Sequence, residues 1–224
     1  MSAVVVDDMR RRLAAVRRPR PIMGRDRERG LTERQRELLD QMERLIAGGF
    51  ATLTMAELAA RLNCSLRTLY ALAPSRDELV LIVVDRSLWR VGRAARDAVH
   101  EDLAPLDAVR AYLQAATVAV SGWTEAFARD LAAVPAAQEL EEGHNEYLFD
   151  VTRTLLDLAA ERGDIADVDT AAVARVLAGL GRFLSRPRVI SGLGSSPKEA
   201  ADQVVDLVLR GLRSRAGEAR TTGG

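Results

Sequence analysis

The sequence predicts an all-α protein of about nine helices, with an N-terminal three-helix head carrying a helix-turn-helix and a larger helical domain behind it. Three observations predict it. Ala, Leu, Val, Arg and Glu dominate, while alternating Thr/Val/Tyr runs of the strand-forming kind are nearly absent. Apolar residues recur at helical spacing along most of the chain. Where those stretches begin, Ser or Thr is repeatedly followed three positions on by Glu or Gln, the signature of a capping box.

Composition bounds the function. The 224 residues are 48% hydrophobic and 29% charged, ordinary for a soluble globular protein. The longest aliphatic run, Leu79 to Val84, is far short of the roughly 20 residues a membrane helix needs. The first residues are arginine-rich and lack the apolar core of a signal peptide, so a cytoplasmic protein is expected. A single cysteine, Cys64, excludes an internal disulfide; it reads as a small turn residue rather than a redox sensor. Charge is uneven. Residues 1–30 hold nine arginines against four carboxylates, residues 31–90 balance, and residues 91–224 hold 15 basic against 20 acidic side chains. A basic front on an acidic body suits a polyanionic partner, although the same stretch also reads as a solvated tail.

Taken in order, residues 1–30 read as a basic, flexible arm, because Pro19, Pro21, Gly24 and Gly30 interrupt any long helix. Thr32 and Gln35 then open a helix with Leu38, Leu39, Met42, Leu45 and Ile46 on one face, closed by Gly48-Gly49. Thr54 and Glu57 open a short helix with Leu58 and Leu62 inward. Asn63-Cys64-Ser65 is a tight turn, and Ser65 caps a further short helix from Leu66 to about Leu72. After Pro74, Ser75 and Glu78 start a long helix to near Ala98. Beyond Pro105 come helices to about Val120, through Trp123–Val134, over about 137–162, over about 170–186, and from Pro197 to about Leu212. The expected organisation is an arm (1–30), a DNA-binding domain (31–84), a sensing and dimerisation domain (85–213) and a disordered tail (214–224).

Two short helices separated by three turn residues form the helix-turn-helix layout, in which the second helix offers its N-terminal residues to the major groove. Leu58, Leu62 and Leu69 point inward in this reading. Ser65, Leu66, Arg67, Thr68, Tyr70 and Ala71 are left outward, a set suited to phosphate and base-edge contacts.

The stretches Gly48-Gly49-Phe50, Thr52 to Ala59, Ser65-Leu66-Arg67-Thr68-Leu69-Tyr70 and Ser75-Arg76-Asp77-Glu78-Leu79 resemble the DNA-binding head of the TetR family. The resemblance covers about residues 32–84 and implies a homodimer bound to an operator in double-stranded DNA. It implies that the longer C-terminal helices enclose a small-molecule pocket and that the last two form the dimer interface, through Ala174, Ala178, Gly181, Ala200, Ala201, Val204 and Val208. Carried residue by residue, it implies that Ser65 caps the recognition helix, that Leu66, Arg67 and Thr68 face the groove, and that Tyr70 and Arg76 meet phosphates. Thr54 would place helix amides near another phosphate. Three positions depart from the pattern. Asn63 stands where Gly is common, Arg67 replaces a frequently small residue, and Leu72-Ala73 replaces the usual His-Phe pair.

Effector-binding candidates are Tyr112, Trp123, Phe127, His144 and Tyr147, with Phe149, Gln138 and Asn145 as further lining or polar anchors. The same residues also read as core at helical spacing. Low aromatic and high aliphatic content suggests a hydrophobic effector. His100 and His144 stand apart from any ligand-spaced cluster, so neither metal nor cofactor is expected. No phosphate-cradling Gly loop or Ser-His-Asp arrangement is present, and no enzyme is expected. The function expected is a ligand-responsive repressor released from a palindromic operator; the alternative is a helical interaction protein that keeps the head as a scaffold and acts through a protein partner.

Overall fold

A computed structural model describes residues 3–100, 102–118 and 124–221; side chains are described for 8–100, 102–118, 124–186 and 188–213. Among the described residues there are twelve helices and no strand. They are α1 (Ala3–Ala15), α2 (Arg25–Arg29), α3 (Glu33–Ile46), α4 (Met55–Arg61), α5 (Leu66–Leu72), α6 (Arg76–Asp97), α7 (Pro105–Val118), α8 (Glu125–Ala132), α9 (Pro135–Glu161), α10 (Thr170–Leu184), α11 (Pro187–Ile190) and α12 (Pro197–Thr221). No described helix is long and apolar enough to cross a membrane.

Local chemistry sets most helix starts. Thr32 and Thr54 each accept the N–H three residues on, while Gln35 and Glu57 accept the backbone N–H of the threonine. Ser65 accepts from Thr68 N–H and Ser75 from Glu78 N–H. Ser196 and Glu199 close a further box before α12. Left-handed backbone falls where the turns need it, at Gly49 (φ 110°), Gly163 (φ 69°) and Asn63 (φ 49°).

The chain divides into two compact units. One gathers Pro19–Arg90 together with α8 and the start of α9, through Gly143. Its core holds Leu38, Leu39, Met42 and Ile46 of α3, Leu58 of α4, Leu69 and Leu72 of α5, and Leu79 to Val84 of α6. Phe127, Leu131, Val134 and Leu140 belong to the same core. The unit is thus larger than the expected 31–84 stretch at both ends. The other unit gathers residues up to Arg18, Val91 to the end of α7, and His144 onward. Here α7 packs on α12 and α10. Arg110 meets Asp206 at 2.6 Å, and Arg213 meets Asp107 at 2.6 Å.

The front of the chain differs from the expected arm. Residues 3–15 form a helix that stops short of Pro19, with Met9 buried in the second core and Arg12 bidentate on Glu161 at 2.7 and 2.8 Å. Residues 19–30 lie on the first unit. Met23 is buried there, Ile22 N–H donates to Asp85 at 2.8 Å, and Glu28 pairs with Arg86 at 3.1 Å. The arginine count drew the reading towards solvent, whereas a buried methionine, the Asp85 carboxylate on the Ile22 N–H and the Glu28–Arg86 pair hold the segment down. At the other end, α12 continues to Thr221 rather than stopping near Leu212, because residues 213–221 include no proline and a single glycine. Residues 222–224 of the expected tail lie outside the described residues.

Candidate nucleic-acid interface

The two helices of the motif are α4 and α5, joined by Leu62 to Ser65. Leu58, Leu62 and Leu69 are buried, so the opposite face of α5 is set outward. On that face Leu66 is 43% and Tyr70 53% exposed, Arg67 and Ala71 are exposed, and Thr68 is half-buried. Ser65 Oγ lies 2.8 Å from Thr68 Oγ1 and accepts the Thr68 N–H at 3.1 Å. Ser65 and Thr68 therefore lock the amino end of α5, leaving Leu66, Arg67 and Tyr70 as the freely presented side chains. Thr54 is exposed at the start of α4, and its N–H and Oγ1 both donate to Glu57. Those bonds hold the Glu57 carboxyl below its usual range, with the backbone N–H of Thr54 the larger cause and its hydroxyl next.

Arg76 is engaged within the protein. Its Nη1 donates to Ala51 O at 3.0 Å and Leu53 O at 3.3 Å, while Nε and Nη2 meet Asp77 at 2.9 and 2.8 Å. It thereby braces the turn before α4. Leu72 and Ala73, the departure from His-Phe, are buried at 1% and 0% exposure and fill core. Arg27 donates to Leu72 O at 2.7 Å and Ala71 O at 3.2 Å, placing a cation at the carboxyl end of α5. Cys64 is half-buried in the turn, and burial pushes its thiol up, against a smaller lowering by Arg34.

A buried carboxylate that sequence reasoning did not single out secures the α3–α4 turn. Asp130 of α8 accepts Phe50 N–H at 2.6 Å and Ala51 N–H at 2.8 Å. Thr124, which caps α8, donates to Ala47 O at 2.7 Å. Gly49 allows this close approach, since a Cβ there would lie 3.1 Å from both Ala126 Cβ and Asp130 Oδ2. Phe127 packs edge-on against Phe50, with ring centroids 5.8 Å apart. No local signal announces Asp130, whose partners lie 79 and 80 residues away.

The effector candidates are divided. Phe127 belongs to the core of the first unit, whereas Tyr112, Tyr147 and Phe149 belong to the core of the second. Trp123 lies outside the described residues. His144 and Asn145 are half-buried and Gln138 is exposed. Arg175 stacks 3.6 Å from the Phe149 ring centroid. Among the described residues, no group of three or more His, Cys, Asp or Glu is placed to hold a metal.

No family model and no curated relative matches this sequence. Solved structures do match it in fold. A TetR transcription regulator from Haloarcula marismortui superimposes with a TM-score of 0.68 at 18% identity, covering 81% of this chain and 99% of that one. A regulatory protein of the tetR family from Rhodococcus RHA1 gives 0.62 at 21% identity, over 81% and 98%. A TetR transcriptional regulator from Streptomyces coelicolor gives 0.54 at 23% identity, over 80% and 98%. With its helix-turn-helix near the front and longer helices behind, this chain has the all-helical fold of the TetR-family transcriptional regulators.

Proposed function

We propose that the chain is a ligand-responsive DNA-binding transcriptional regulator, a homodimeric repressor released from a palindromic operator by a small hydrophobic effector. The observation that carries this reading is the outward face of α5, a capped helix in a TetR-type fold presenting Leu66, Arg67 and Tyr70 to solvent. Arg67 supplies base-edge or phosphate contact, and Tyr70 and the amino ends of α4 and α5 supply phosphate contact. Arg76 acts as the brace that sets the turn, with a phosphate as a secondary partner.

The dimer draws support from α10 and α12. Val176, Phe183 and Leu207 are 59%, 50% and 68% exposed, large apolar side chains left outward on these two helices. Ala174, Ala178 and Ala201, expected in the interface, are buried within their own chain instead. The interface proposed here is the neighbouring stripe of Val176 and Phe183 on α10 with Val204, Leu207 and Gly211 on α12. Two recognition helices then meet successive major grooves about 34–36 Å apart. The exposed Arg17, Arg18 and Arg20 add salt-sensitive phosphate contacts.

The test is a selection from random DNA fragments by the purified protein, beside a Thr68→Ala/Tyr70→Ala double variant. Enrichment of a palindrome by the wild type alone is expected. Run at two salt concentrations, an Arg17→Gln/Arg18→Gln/Arg20→Gln variant should enrich the same sequence with a shallower salt dependence. No enrichment by a folded, ligand-free dimer would overturn the DNA reading in favour of a protein partner.

A further inference from the structure

Tyr147 Oη, on α9, is buried and meets no hydrogen-bond partner among the described residues. A buried hydroxyl left so is unfavourable unless something else occupies its lone pair or accepts its proton. The neighbours of Tyr147 say what that could be. The guanidinium of Arg96, on α6, lies 6.0 Å from the Tyr147 ring centroid. Arg96 is half-buried, and among the described residues it donates from Nε to Gly92 O of its own helix at 3.3 Å and pairs with no carboxylate. Tyr112, on α7, is 1% exposed. Burial above all pushes its phenol up; Tyr147 adds to that and Arg96 opposes it, so the three groups share one electrostatic neighbourhood.

Three helices thus bring together two phenols, each with a proton to donate, and one guanidinium, with no anionic acceptor among the described residues. The complement is an acceptor, and one unpaired cation balances one negative charge rather than the two of a phosphate monoester. Tyr112 and Tyr147 belong to a mainly aliphatic core cluster that also holds Leu106, Val109, Leu155 and Leu177. We infer that Arg96, Tyr112 and Tyr147 form the head-group end of a binding site for an organic carboxylate with an apolar tail. Calling that ligand the effector rests on the regulator reading above; the site itself does not.

Binding to the full-length chain is measured by calorimetry with decanoate, decanol and decyltrimethylammonium, each below its micellar concentration. Decanoate should bind about tenfold or more tightly than decanol, as a charge-assisted contact implies, and the cation should not bind. Arg96→Gln should abolish the preference for decanoate over decanol, whereas Arg96→Lys should retain part of it. Tyr147→Phe should weaken decanoate by about threefold to tenfold. Absent decanoate binding, equal binding of decanoate and decanol by the wild type, or a preference that survives in Arg96→Gln would overturn the inference. Because no DNA is present, failure here leaves the operator result untouched, and failure of the DNA selection leaves this site standing.

Discussion

The two compact units finish their polar groups in different ways. In the unit that carries the helix-turn-helix, turn amides and helix ends meet named partners. Asp130 takes the N–H groups of Phe50 and Ala51, Arg27 takes the carbonyls of Ala71 and Leu72, and Arg76 takes those of Ala51 and Leu53. Among its described residues, the exposed large apolar side chains of that unit are Ile22 and two on α5, Leu66 and Tyr70. The second unit keeps an unmet phenol at Tyr147, a half-buried guanidinium without a carboxylate at Arg96, and an outward apolar stripe through Val176, Phe183 and Leu207. On the function proposed above, the first unit docks on DNA in fixed register and needs rigid internal support, whereas the second is completed by a ligand and a second copy.

That contrast is open to breakage. The largest effect is expected at the apolar stripe. Leu207→Asp would place a charge in both halves of a symmetric interface and raise the dimer dissociation constant about 30-fold or more, the ~2 kcal/mol of a hot-spot residue. Analytical ultracentrifugation reads this directly, and an unchanged dimer would move the interface elsewhere. Next comes a pair of substitutions, one in each unit. Asp130→Ala leaves two turn amides without their acceptor and should cost about 2–4 kcal/mol in urea unfolding. Tyr147→Phe removes an orphaned hydroxyl and, without ligand, should cost nothing or stabilise by up to ~1 kcal/mol. Similar losses at both sites would show that Tyr147 Oη is satisfied in the folded chain rather than orphaned.

The smallest effect is electrostatic. Glu57 has its pKa lowered by the Thr54 N–H and hydroxyl, so its contribution to stability is complete above the ordinary glutamate pKa and is lost as pH falls through the depressed value. NMR titration of the Glu57 carboxyl should show the lowered midpoint, and Thr54→Val, which removes the hydroxyl, should return part of the shift. A midpoint unaffected by that substitution would assign the whole shift to the backbone donor.

Much of the head was legible because its determinants are local. Thr32, Thr54, Ser65 and Ser75 cap helices three residues or fewer from their partners, and the spacing of Leu58, Leu62 and Leu69 sets the buried face of the motif. The outward positions of Leu66, Arg67 and Tyr70 follow from that face. Other features depend on groups far apart in the chain. Arginines 17 to 29 looked alike in sequence, yet only a fold could show Arg27 capping α5 while Arg18 stays in water.

What the sequence by itself determined, then, is the succession of helices, their caps and the phase of the short motif helices, because these rest on contacts within a turn or two of each residue. Tertiary structure alone decided that α8 joins the head through Asp130, since that carboxylate bonds amides some eighty residues away. It also decided which of two apolar faces of α10 and α12 is core. Both are rich in Ala and Val, and periodicity marks each as burial-competent without saying against what. The mutual packing of α7, α10 and α12 leaves Ala174, Ala178 and Ala201 buried and Val176, Phe183 and Leu207 exposed. The meeting of Arg96 with Tyr112 and Tyr147 has the same origin, for three helices must pack before three separate donors share one buried place.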